Sequence, residues 1–480
     1  MIIRNMSAMA GLNALKAVSS VLVSFLVAHA VAPAAFGLVA FSIPLMTFLT
    51  VMTDLGLTSA IVRHPELSRS EAGAAVALMA ITGFAGGILL AALARPMESV
   101  LSLHGLRPVL TGYAGVTLLS IWAAGPRALL ERQYAYTKVA SVEATALAAG
   151  LAVCTVGLAS SAGIMALVAY QLTFQLIRAI GFALLARRLF VLNLGVGRIL
   201  ALVEVGGWVL LTNLMVYCAR NLDNLLIGAF LGAASLGIYG LAYQFMTLPL
   251  VLITWPISGV LLSTLARLNR GGGVAKAEVI CAVFTGTAAV SFPMMGFMIF
   301  GARFPIEAVY AERWHGLAKI VALLAPVGAV QSIAAYGGAV LTEKGAVRLN
   351  FLLGGLNGAA LSAVFFISVW FGLAALVASY AVAAVLVSLV LIYFACREAG
   401  IAPRRFLACL APGALATLAG VAACASVVGL APRTLGDWLV CIVTYGLAVL
   451  GVYGALHRRL MAPMHALARS GGLIVANVST

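Results

Sequence analysis

The sequence predicts an all-α integral membrane protein, and three observations predict it. Hydrophobic residues make up 63% of the 480-residue chain. Charged residues make up 9%, against about a quarter in an ordinary soluble domain, too few to dress a soluble surface. Nine stretches hold no Asp, Glu, Lys or Arg: 17–53, 72–94, 108–126, 144–177, 224–266, 279–302, 349–396, 406–432 and 438–457. A spanning helix needs about 20 apolar residues, so several gaps hold one helix and the 48-residue gap holds two. Disorder is excluded, because it requires low hydrophobicity. None of the gaps alternates polar and apolar residues with period two, which argues against a β-barrel. The formal net charge of +15 comes from basic residues scattered singly, unlike the clustered basic face of a nucleic-acid binder.

Fourteen spanning helices follow in order: 9–30, 37–61, 73–94, 108–126, 139–160, 163–186, 199–229, 237–265, 279–301, 318–342, 349–370, 373–395, 406–428 and 437–457. The breaks carry turn chemistry at Ala32-Pro33, Ser160-Ser161-Ala162-Gly163, Gly271-Gly272-Gly273 and Ala431-Pro432. The first span has a competing reading. Arg4 and Lys16 precede an apolar run ending Ala28-His29-Ala30, which resembles a signal-peptide cleavage site. The internal repeat described below argues that the segment is retained.

Orientation follows from Lys and Arg in the loops. With the N-terminus in the cytoplasm, six basic residues fall outside (Arg95, Arg107, Arg303, Arg313, Lys319, Arg433) and three inside helices (Lys16, Arg178, Arg220). The other twenty of the 29 lie on the cytoplasmic side, so both termini are expected there. The largest external loop, 302–317, has 16 residues, which leaves no room for a soluble catalytic domain. Its acids, Glu307 and Glu312, read as capping or solvating a short interfacial segment, and no enzymatic activity is expected. The seven cysteines (Cys154, Cys218, Cys281, Cys396, Cys409, Cys424, Cys441) lie in or beside apolar stretches without CxxC spacing and read as small core residues. No metal site or cofactor is expected.

An internal repeat appears at an offset of 200. Ala34-Ala35-Phe36-Gly37-Leu38 matches Ala234-Ser235-Leu236-Gly237-Ile238, Met46-Thr47-Phe48 matches Met246-Thr247-Leu248, and Asn13 matches Asn213. Six helices separate the copies, so they share an orientation, as in transporters with parallel repeats. This predicts an N-lobe (1–198, helices 1–6), a C-lobe (199–400, helices 7–12) and an appended pair (401–480, helices 13–14).

Ionisable residues in spanning helices are costly and functional by default. Here they are Lys16, Asp54, Glu143, Arg178, Glu204, Arg220 and Asp223. Lys16, Asp54 and Arg178 sit about 10–12 Å from the cytoplasmic end at 1.5 Å per residue. Gln171, Gln175 and Arg178 form one stripe. Asn13 and Lys16 share a face of the first helix, and Asn213, Tyr217, Arg220 and Asn224 repeat it on the seventh, with Asp223 beside Arg220. The substrate-binding candidates are therefore Lys16, Arg178, Arg220, Gln171, Gln175, Asn213, Asn13, Tyr217 and Asn224. Asp54, Asp223, Glu143 and Glu204 are candidates for gating or ion coupling. The alternative is structural: Lys16 with Asp54, and Arg220 with Asp223, as buried pairs, with Arg178 snorkelling to the surface. Basic groups in a cavity favour an anionic ligand such as a phosphate. The segment 127–141 reads as an amphipathic interfacial helix or an element gating the inner mouth.

Several motifs resemble a known family. Phe36-Gly37 with Asp54-Leu55-Gly56-Leu57-Thr58-Ser59-Ala60-Ile61-Val62-Arg63, the run Glu131 to Ala140, Asp223-Asn224-Leu225-Leu226-Ile227-Gly228 with Leu236 to Ala242, and Pro249 and Pro256 are similar to the polysaccharide and O-antigen flippases. These belong to the multidrug/oligosaccharidyl-lipid/polysaccharide (MOP) exporter superfamily. The resemblance covers helices 1–12 and the fourteen-helix count. It implies translocation of an undecaprenyl-diphosphate-linked oligosaccharide across the bacterial inner membrane by alternating access, for exopolysaccharide, capsule or O-antigen assembly. The implied partners are membrane lipids, a polysaccharide polymerase and a chain-length regulator, with coupling to a proton or sodium gradient or the membrane potential, and no nucleic acid. Three rivals remain: a multidrug/cation antiporter of the same superfamily, which would prefer an acidic, aromatic cavity; a lipid II flippase; and a membrane polymerase, which would need a substantial external loop.

Overall fold

The computed structural model describes residues 26–64, 66–191, 221–268, 273–310, 312–429, 432 and 434–456, with Leu15, Lys16, Ser19, Val23, Leu210, Leu214 and Tyr217. Among these residues the chain is all-helical, and twelve helices are long and apolar enough to cross a membrane. Most of the expected seventh span and much of the first lie outside the described residues, as does the expected lobe boundary at 198/199. By its internal contacts the chain divides into two compact units, residues 1–240 and 241–480.

In the first unit the helices are α1 (Pro33–Asp54), α2 (Leu57–Arg63), α3 (Arg69–Leu101), α4 (Leu106–Arg132), α5 (Tyr136–Ala159) and α6 (Met165–Ala186). α3 packs on α4, α4 on α6 and α6 on α5. A capping box starts α3: Glu71 N–H donates to the Ser68 hydroxyl at 3.2 Å, and Ser68 N–H donates to the Glu71 carboxylate at 2.9 Å. This satisfies donors that a helix start otherwise leaves open.

Two helices run well past their expected ends. α3 extends over both flanks of 73–94, taking Arg69 and Glu71 into its first turn and Arg95 and Glu98 into its last turns. α4 continues beyond residue 126, through Pro126, to Arg132. A helix need not stop where hydrocarbon stops, because its backbone hydrogen bonds are internal and its charged ends can sit in the interface. The separate interfacial helix expected over 127–141 is therefore corrected. Its first part belongs to α4 and its last part to α5, joined by a tight turn in which Tyr134 has φ 56°.

α7 (Gly232–Pro249) follows a break at Gly232, whose φ of 82° favours a residue without a Cβ. α1 and α7 cross at the repeat-equivalent glycines. A Cβ placed on Gly37 would overlap the carbonyl oxygen of Ala233, and one on Gly237 would overlap that of Pro33. The two collisions map onto each other under the offset of 200. Small residues let membrane helices approach at this distance. Gly37→Ala is expected to cost about 1–3 kcal/mol through overpacking, read as a lower unfolding midpoint in detergent. Gly240→Ala, whose added Cβ would stand 3.5 Å from Ala40 Cβ, is the control and should leave the midpoint near wild type.

The second unit holds α8 (Trp255–Arg267), α9 (Gly273–Phe300), α10 (Arg303–Tyr310), α11 (Leu317–Ala334), α12 (Gly337–Glu343), α13 (Val347–Ser368), α14 (Leu373–Ala399), α15 (Pro403–Val427) and α16 (Leu435–Ala455). α9 packs on α15 and α11, and α15 on α16. A buried core joins Phe284, Tyr336 and Leu341 with Cys281, Cys396 and Cys409. These cysteines, and Cys154, are free and buried as expected. Cys218 lies outside the described residues. Cys424 and Cys441 correct the reading of all seven as plain core residues: they form a disulfide between α15 and α16, with Cα atoms 5.2 Å apart. Reduction should make one thiol pair newly available to maleimide in the unfolded chain, and Cys424→Ser with Cys441→Ser should abolish that gain.

Candidate functional site

The first unit brings four charged side chains together within the membrane-spanning region. Glu143 stands on the second turn of α5 and its side chain is fully buried. Lys16 Nζ pairs with Glu143 Oε2. Arg127 Nη1, from α4, lies 3.3 Å from Glu143 Oε1, and Arg178 Nη2, from α6, lies 3.3 Å from the same oxygen. Arg127 also donates Nε to Glu131 at 2.8 Å, one turn along its own helix. Three cations thus converge on one carboxylate, with Glu131 as a second anion at the edge. A carboxylate buried in this way needs such partners to offset its desolvation.

Arg178 is the most enclosed of the three cations, with 11% of its side chain exposed, against 30% for Arg127 and 35% for Lys16. Its guanidinium lies 5.2 Å from the Phe174 ring centre and 5.7 Å from that of Phe182. Nη1 donates to Gln175 Oε1. Among the described residues Nε is buried without a hydrogen-bond partner. Buried Gln175 thus accepts from Arg178, and half-buried Gln171 sits one turn earlier on the same helix. Arg178 does not snorkel out. It turns inward to Glu143.

Of the other candidates, Lys16 joins the cluster, and the rest that the structure describes fall elsewhere. Lys16 pairs with Glu143, and Asp54 instead accepts a hydrogen bond from Thr58 across the α1–α2 break. Asp223 is buried, accepts from Tyr239 hydroxyl at 2.7 Å and from Asn224 N–H at 2.8 Å. Tyr217 donates its hydroxyl to the Pro44 carbonyl and meets the Phe48 ring at 5.8 Å. Arg220, Asn213, Asn13 and Glu204 lie outside the described residues, so the pairing of Arg220 with Asp223 does too. Arg127 and Glu131 were missed in the sequence because they follow a charge-free gap and read as loop charges. Their i, i+4 spacing, continuous with the helix pattern before Pro126, was the available signal.

The described arrangement is an all-helical, multi-pass membrane protein with a cationic cluster around one buried acid. Solved structures share this fold. The lipid II flippase MurJ in an inward closed conformation aligns over 96% of this chain and 100% of its own, with a TM-score of 0.72 and 13% identity. A multidrug resistance MATE family transporter of the MOP superfamily, facing inward, aligns over 80% and 94%, with a TM-score of 0.59 and 14% identity. These likenesses show that the chain shares the fold of those two proteins. The profile of the polysaccharide biosynthesis protein family matches residues 26–319, and the chain belongs to that family. Among its relatives, lipopolysaccharide biosynthesis protein WzxC of Escherichia coli (strain K12) is 23% identical over 321 residues, 66% of this chain. Teichuronic acid biosynthesis protein TuaB of Bacillus subtilis (strain 168) is 33% identical over 146 residues, 30% of this chain. The chain spans 64% of the length of WzxC and 30% of that of TuaB.

Proposed function

We propose that this protein is a flippase that carries a polyprenyl-diphosphate-linked oligosaccharide from the inner to the outer leaflet of the bacterial inner membrane by alternating access. The observation that carries the reading is the convergence of Lys16, Arg127 and Arg178 on Glu143, a cationic surplus inside a membrane-spanning unit. A diphosphate entering beside Glu143 would take over cations that the carboxylate holds in its absence. The guanidinium groups suit a phosphate because they grip it with paired N–H bonds. Membership of the polysaccharide biosynthesis family, and relatives named for lipopolysaccharide and teichuronic acid biosynthesis, support the same substrate class.

In this reading the chain has fourteen spans: an N-lobe over 1–198, a C-lobe over 199–400 and an appended pair over 401–480. Gln171, Gln175, Tyr217 and Asn224, with Asn13, Asn213 and Arg220, would extend the polar lining, and Asp54, Asp223 and Glu204 would act in gating. Both termini would be cytoplasmic. The disulfide between α15 and α16 supports this side assignment, since disulfides persist in oxidising compartments and the 428–434 connection would then face one. A polymerase and a chain-length regulator would act downstream. The switch between states requires that substrate or a coupling ion favour one of them.

Reconstitution tests the reading. Purified protein in vesicles holding a polyprenyl-diphosphate oligosaccharide should make the inner-leaflet sugar accessible to an external glycosidase, faster than protein-free vesicles. No acceleration, together with gradient-driven efflux of a cationic dye, would replace the flippase by an antiporter.

A further inference from the structure

A cavity lies in the other unit, far in sequence from the Glu143 cluster. It has a volume of about 690 Å³ and opens where α9 ends and α11 begins, with α10 along one side. The segments that form it join the ends of the candidate spans Lys276–Phe300 and Leu317–Glu343.

The reason for the cavity is the register of α10. Ile306 and Tyr310, at i and i+4, are 5% and 3% exposed and point into the unit. Arg303 and Glu307, also at i and i+4, point out, and Arg303 Nε donates to Glu307 at 2.9 Å. That bond uses one of the five guanidinium N–H groups. Trp314, 2% exposed, forms part of the lining, and exposed Lys319 adds a second cation from the first turn of α11. Ile299, 49% exposed, supplies an apolar wall on the side of the spans, with buried Phe300 and Ile306 also in the lining. The cavity therefore combines an apolar lining with a cationic rim.

That polarity matches one class of ligand, an amphiphile with an anionic head. We propose that this cavity binds the headgroup of an anionic phospholipid, with Arg303 and Lys319 on the phosphate and Ile299 against the acyl chain. Glu307 opposes it. By holding Arg303 it competes with the phosphate, so its charge sets the affinity. The site is separate from the cationic cluster of α4–α6 and stands whether or not that cluster binds a diphosphate.

Native mass spectrometry of the delipidated full-length protein, titrated with phosphatidylglycerol, phosphatidylcholine or inorganic phosphate, tests this. Phosphatidylglycerol should bind saturably and most tightly of the three. Arg303→Gln with Lys319→Gln should weaken it at least tenfold, as expected for lost charge-assisted hydrogen bonds. Glu307→Gln should tighten it about two- to fivefold, the scale of an exposed ion pair. All three side chains are exposed, so the variants should fold, and a thermal midpoint checks this. The proposal is overturned if the double variant binds phosphatidylglycerol as tightly as wild type. It is also overturned if phosphatidylcholine binds equally well, which would leave an apolar groove only, or if inorganic phosphate does, which would leave a simple anion site.

Discussion

Arg178→Ala is expected to lower surface polymer at least tenfold in a strain relying on the variant, while the protein remains in the membrane at near wild-type level. The magnitude follows from a charged hydrogen bond, worth about 1.5–3 kcal/mol when its partner is an ion. The retained protein follows from the geometry, because Glu143 keeps Lys16 and Arg127 as partners after Arg178 is lost. Arg178→Lys keeps the charge and loses the planar fork, so it should restore export only in part. A purely structural role makes a different pattern. Arg178→Ala would then deplete the protein, and adding Glu143→Gln would restore it. In the proposed role the double variant stays inactive. Normal export by Arg178→Ala at a normal protein level would remove Arg178 from the substrate site.

Glu143→Gln is expected to have the largest effect on stability in the first unit, roughly 3–5 kcal/mol, the scale of breaking a buried ion pair. The amide keeps the shape and removes the charge. Among the described residues, Lys16, Arg127 and Arg178 then face one another with Glu131 as the carboxylate nearby, and it already serves Arg127. The check is the thermal unfolding midpoint of purified protein in detergent. Glu143→Asp, shorter by one methylene and still charged, should fall between wild type and Glu143→Gln. A wild-type midpoint for Glu143→Gln would mean that water or lipid screens the cluster, and that the acid is not what gathers it.

The spans were legible because a bilayer taxes every charge, so charge-free gaps in the sequence mark them directly. Helix ends were less legible. Arg69, Glu71, Arg95 and Glu98 extend α3 beyond its apolar run, since polar side chains at the interface cost little and do not interrupt backbone hydrogen bonding. Glu143 and Arg178 were legible as misfits in apolar helices. Their contact was not, because depth along a helix says nothing of the face a neighbour presents. Lys16 and Asp54 share a depth, and yet Lys16 reaches Glu143. Arg127 escaped for the opposite reason: it follows an apolar run, where a basic residue ordinarily marks the cytoplasmic edge. The disulfide had no spacing motif to announce it. Its two cysteines meet because α15 and α16 form a hairpin that places residues 17 apart side by side.

The crossing of α1 and α7 has the pattern of a contact between identical molecules. Residue 37 meets 233 and residue 237 meets 33, so once the offset of 200 is removed each partner offers the same patch to the other. An isologous dimer makes its interface in this way. A half-length chain with one glycine at this position would meet its twin across a two-fold axis, and a single substitution would strike the interface twice. Fusion of the halves separates the two strikes. Each glycine can now be altered alone, so the two halves of the contact are free to diverge.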